Sequence, residues 1–130
     1  VDGALDEEVW HTAPTIGDLT QREPRTGDQP TERTDVRLLH DQSALYIGVM
    51  SYDSEPERII GTDMTRDGAL RSEDRVEIVL DTYGDQRNAF YFATNPSGAL
   101  VDGLIFSNGQ SNLEWDAIWT VRTRPKTLTP

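Results

Sequence analysis

At 130 residues the chain is long enough for one domain with a two-layer core and too short for two independent cores. Its formal net charge of −11 argues against binding a phosphate backbone or an anionic membrane surface, both of which need clustered Lys and Arg. The absence of cysteine rules out disulfides, thiolate catalysis and Cys-ligated zinc, and no apolar run reaches the length of a transmembrane helix. With 35% apolar and 8% aromatic residues, the core is expected to be modest and the loops long.

From the amino end, Asp2-Gly3 is a turn signal, and Asp6 could cap a short helical turn whose acids sit favourably at its N-terminal end. Trp10 reads either as a core anchor or as a ligand platform. Residues 11–34 are polar and broken by Pro14, Pro24 and Pro30, which predicts a meandering loop with one short strand. Thr34–Leu39 and Ala44–Tyr52 read as an antiparallel hairpin joined by the turn His40–Ser43. In the second of these strands Leu45, Ile47 and Val49 point one way, and Tyr46, Gly48 and Met50 the other. Both faces are largely apolar, the pattern of an interior strand. One helical turn is expected over Glu57–Gly61, followed by a charged loop, Thr62–Ser72.

The strongest hairpin signal is Ser72–Asn95. Val76, Ile78 and Leu80 alternate with Glu77, Val79 and Asp81, a polar connection runs from Asp81 to Asn88, and Ala89–Thr94 is rich in β-formers. Glu77 is its misfit, either an exposed edge residue or a carboxylate set on a concave sheet face to hold a polar ligand. Asn95-Pro96-Ser97-Gly98 is a turn. Leu100–Phe106 is a further strand, with a bulge or bend expected at Asp102-Gly103. Leu113–Arg122 carries Trp115 and Trp119 on one face if it is extended, and its Thr and Val favour a strand. The domain is therefore expected over 1–122, with 123–130 as a tail. About seven short strands separated by turn chemistry, with almost no helical periodicity, predict an all-β antiparallel sandwich.

No catalytic constellation stands out. His11 and His40 lie in unrelated loops, and there is no G-x-S-x-G, P-loop or dinucleotide fingerprint, so the chain is expected not to be an enzyme. What remains is a site for a saccharide, whose apolar C–H faces stack on aromatic rings while carboxylates, amides and guanidinium groups take its hydroxyls. Trp115 and Trp119 are the candidate platforms, with Glu77, Arg87 and Asn95 as polar partners. For each tryptophan the competing reading is core packing. Calcium is the second candidate ligand, because loops such as Asp63–Asp74 and Asp81–Asp85 are rich in hard oxygen donors, although no spacing matches an EF-hand.

The blocks DGALDEEVW (2–10), TDVRLLHDQSALYIGVMSYDSEPERI (34–59), RDG with SEDRVEIVLDTYGDQRNAFYFATNPSG (66–98) and WDAIW (115–119) together resemble the family 9 carbohydrate-binding modules. More closely they are similar to the version at the N-terminus of large exported bacterial proteins. The resemblance implies a jelly-roll-like sandwich, structural calcium, an extracytoplasmic location and a mono- or oligosaccharide ligand, with Glu77 and Asn95 falling in blocks that can contact sugar. The chain runs into RPKTLTP where relatives continue with another strand. One or two final strands are therefore expected to be absent, which leaves an edge open to a strand-exchanged homodimer or a downstream domain. Two alternatives stand beside the sugar module. One is a structural or assembly domain of a larger exported or membrane-associated protein. The other is a haem-binding redox domain of the related DOMON type, although Met50, Met64, His11 and His40 do not match its motifs.

Overall fold

The structure, a computed structural model, describes residues 2–17, 19–21, 25–30, 32–52, 74–106 and 110–124. The expected helical turn at 57–61, the charged loop 62–72 and Met64 lie outside the described residues. Those that are described form two antiparallel sheets and one five-residue helix, the all-β class expected. The chain divides into two compact units, one running from Ala4 to Pro56.

In that unit β1 (Thr15–Ile16), β2 (Thr34–His40) and β3 (Leu45–Ser51) make a three-stranded sheet in that order. The β2–β3 register, from Thr34 opposite Ser51 to His40 opposite Leu45, places Arg37 across from Gly48. Helix α1 (Glu8–Thr12) supplies the buried Trp10. Its N-cap is Glu7, whose side chain makes no capping bond, rather than Asp6. A Cβ on Gly48 would stand 2.9 Å from Trp10 Cζ3 and 3.1 Å from Leu5 Cδ2, so glycine is what lets the indole lie against the sheet. The Arg37 guanidinium fastens the same helix by donating to the carbonyls of Trp10 (3.0 Å) and Ala13 (3.4 Å). Trp10 is thus a core anchor. Among the described residues β3 pairs with β2 alone, so its two apolar faces do not here mark an interior strand.

The second unit holds β4 (Val76–Leu80), β5 (Ala89–Thr94), β6 (Val101–Ile105) and β7 (Ser111–Asn112), four antiparallel strands in sequence order. The β5–β6 pairing runs unbroken from Ala89–Ile105 to Ala93–Val101, so the bulge expected at Asp102-Gly103 is absent. Gly103 serves a close approach instead. The carbonyl oxygen of Asn112 and Cδ2 of Leu113 each lie 2.8 Å from where its Cβ would be. The pleat then sorts this sheet's side chains. Glu77, Val79, Tyr91, Ala93 and Val101 share one face, and Val76, Ile78, Leu80, Phe90, Phe92 and Asp102 share the other. A small buried cluster of Ala93, Ala99 and Val101, with Tyr91 packed on it, lies on the first.

Leu113–Arg122 is not a strand. It is extended and alternates, with 115, 117, 119 and 121 half-buried and 116, 118, 120 and 122 exposed, yet it joins neither sheet. The reason is its hydrogen bonding: the Ala117 amide goes to the Asp102 side chain rather than to a neighbouring backbone.

Candidate functional site

The segment after β7 crosses the phenylalanine face of the β4–β7 sheet. Trp115 packs on Phe90 with ring centroids 5.0 Å apart, and on Phe92 at 6.4 Å, edge-on. Trp119 meets Phe92 edge-on at 5.1 Å. At the loop end Tyr83 stands 6.5 Å from Phe90 and is 75% exposed. The rings therefore form a stepped row, Tyr83–Phe90–Trp115, continued through Phe92 to Trp119, solvent-open at Tyr83 and half-buried beyond it. Beneath it lies Asp102, fully buried, whose Oδ2 accepts the Ala117 amide at 2.7 Å and the Trp119 indole Nε1–H at 3.1 Å. Farther along, the Thr123 hydroxyl donates to the Pro96 carbonyl at 2.6 Å, tying the segment to the turn that follows β5.

Trp115 and Trp119 are thus brought together, but the other candidate residues are not gathered round them. Glu77 lies on the opposite face of the sheet, exposed on β4. There its carboxylate accepts from Arg75 Nε at 2.7 Å. Tyr91 stands diagonally across from it. Burial first, then the Glu77 charge and a hydrogen bond to it, push the Tyr91 phenol above its ordinary value.

Asn95 is 2% exposed, and its side-chain oxygen accepts the amides of Ser97 (3.1 Å) and Ala99 (3.0 Å). It is built into the 95–99 turn. Arg87 is exposed in the loop 81–88, on the same connection as Tyr83. Its amide is held by Asp85 Oδ1.

No family model matches this chain, and neither does any curated protein or solved structure.

The loop 81–88 is one of the acidic stretches expected to offer calcium ligands. Asp81 accepts the amides of Asp85 and Gln86 through separate oxygens. Asp85 Oδ1 accepts the amides of Arg87 and Asn88, and Oδ2 accepts the Asn88 side-chain amide. Those bonds, that from Asn88 first, hold the Asp85 carboxyl below its ordinary value. Both carboxylates accept amides of their own loop, in which Gly84 and Gln86 have positive φ. Of the other acidic loop, Asp63–Asp74, residues 63–73 lie outside the described residues.

Tyr83, Phe90, Phe92 and Asp102 are not among the site residues expected from the sequence, where Asp102 stands only as part of an expected bulge. The available signal for Asp102 was a carboxylate between Val101 and Leu104 in a strand otherwise fit for burial, which demands nearby donors.

Proposed function

We propose that this chain is a non-catalytic carbohydrate-binding module of the family 9-like kind, acting outside the cytoplasm. Its mono- or oligosaccharide ligand stacks on the aromatic side of the β4–β7 sheet. The observation that carries this reading is the row Tyr83–Phe90–Trp115, with Tyr83 75% exposed at its open end and Arg87 on the same loop. A pyranose has an apolar C–H face that suits a ring and a rim of hydroxyls that suits a guanidinium. In this reading Tyr83 and Trp115 are the stacking surface and Arg87 the hydroxyl contact. Glu77, across the sheet, belongs to a separate ion-paired patch.

The test is titration of tryptophan fluorescence with glucose, cellobiose and xylobiose. A saturable change for at least one sugar, weakened about two- to tenfold by Tyr83→Ala, is expected. No change with any of the three removes the claim for these ligands.

A second reading, a structural or assembly domain of a larger exported protein, is favoured by Trp119. Its indole N–H is already bonded to Asp102 and its ring lies against Phe92, as in a core aromatic. On that reading the titrations are silent, and the partner is a downstream domain or a strand-exchanged second copy, seen as a concentration-dependent dimer in sedimentation. A haem-binding redox domain would show a Soret band on adding haem.

A further inference from the structure

We infer that Asp102 is a positioning residue for the aromatic face, fixing the pose in which Trp119 and, through the backbone at Ala117, Trp115 are presented. Its role toward a ligand rests on the carbohydrate reading; its role in holding the segment does not.

Three observations bear on this. Residues 115–121 are extended but belong to no sheet, so no ladder of backbone bonds sets their place. Oδ2 of Asp102 is the shared acceptor for two N–H groups of that segment, one backbone and one indole. Asp102 itself is wholly buried on β6, between Phe92 opposite and Leu104 two residues on, so the anchor is rigid. A carboxylate accepting from two donors makes charge-assisted bonds stronger than neutral ones, and the full burial of the acceptor limits competition from water although both donors are only partly buried. Among the described residues Trp115 packs on the rings of Phe90 and Phe92, and the Asp102–Ala117 bond sets how far along the sheet it lies. A shift there of one ångström would change the step between Trp115 and Tyr83, and with it the fit of a sugar ring.

The experiment follows the indole N–H resonances of the 130-residue chain by 1H–15N NMR, with Trp119→Phe and Trp115→Phe used to assign them. In the unsubstituted protein the Trp119 indole proton should exchange with solvent about tenfold or more slowly than that of Trp115. Asp102→Asn, which keeps one acceptor oxygen but loses the charge, should narrow that difference, shift the Trp119 and Trp115 resonances, and leave the Trp10 resonance in place. Equal exchange of Trp115 and Trp119 in the unsubstituted protein overturns the inference, and this arm needs no Asp102 variant to fold. So does an unmoved Trp119 resonance in a folded Asp102→Asn protein.

A sugar titration of the same samples separates the two claims. If glucose, cellobiose and xylobiose move no indole resonance in the unsubstituted protein, the carbohydrate reading fails while the exchange data still decide the anchoring. If one of them binds, Asp102→Asn should weaken it about fivefold or more with Tyr83 intact. Unchanged affinity refutes the positioning role toward ligand.

Discussion

Asp41 shows how much one side chain can organise. Its Oδ1 accepts the amides of Ser43 and Ala44 and the Ser43 hydroxyl, and its Oδ2 accepts the Tyr46 hydroxyl, closing the β2–β3 turn. These bonds, that from the Ser43 amide first, lower its carboxyl to about 2 from an ordinary 3.8. A lowered folded-state value means the unfolded chain takes up the proton first. The contribution to stability is therefore complete above about pH 4 and is lost as the pH falls through about 2. Asp41→Asn, which keeps an acceptor for the turn but cannot titrate, should flatten the fall in thermal midpoint over that window; an equally steep fall would show that other acids control it. Asn95 belongs to the same class. Replacing it with Ala leaves the buried Ala99 amide without its acceptor and should cost about 1–3 kcal/mol in urea unfolding. Turn chemistry marked 95–98 in the sequence, but the same amide group can cap a turn or meet a sugar, and only the placement of its neighbours separates the two.

At the scale of elements, both long hairpins were legible because alternation and turn residues agreed, and 34–39 with 44–52 became Thr34–His40 with Leu45–Ser51. The segment 113–122 was legible only in part. Its alternation correctly puts Trp115 and Trp119 on one side, but period two reports an extended chain, not a paired one. Whether its amides meet a strand or an Asp102 carboxylate depends on residues elsewhere in the chain. Glu77 was similarly half-read. Its exposure on β4 follows from the alternation, whereas its separation from the tryptophans depends on which face the later segment crosses. Gly48 could be taken from sequence as a mere gap in a β-rich run, yet it accommodates Trp10. Gly48→Ala would press a methyl group to 2.9 Å from the indole ring and 3.1 Å from Leu5, so the buried ring or the β2–β3 backbone must shift to admit it. A loss of about 1–3 kcal/mol is expected, read by chemical denaturation. Pairing it with Leu5→Ala, which frees volume on one side only, should restore less than the full loss.

For the molecule as a whole, the surplus of 23 acidic over 12 basic residues repels itself in the folded state. Exposed pairs such as Arg33–Asp35 and Arg75–Glu77, both at 2.7 Å, offset this locally, and each contributes little because water and salt screen it. Raising sodium chloride from about 20 mM to about 0.5 M shortens the screening length from about 20 Å to about 4 Å and should raise the thermal midpoint by a few degrees. Calcium must be judged against that background, because any divalent cation screens acids. The discriminating comparison is calcium against magnesium at matched ionic strength, each followed by chelation. A calcium-specific rise in midpoint would support the structural ion implied by the family 9 resemblance. Asp81→Asn and Asp85→Asn then ask whether that ion sits in the loop 81–88. Both carboxylates are engaged by the amides of their own loop, so each substitution should lower the baseline midpoint and leave the calcium-specific increment unchanged. An increment abolished by either one would mean that the loop reorganises around the ion, with its amides surrendering the oxygens on binding.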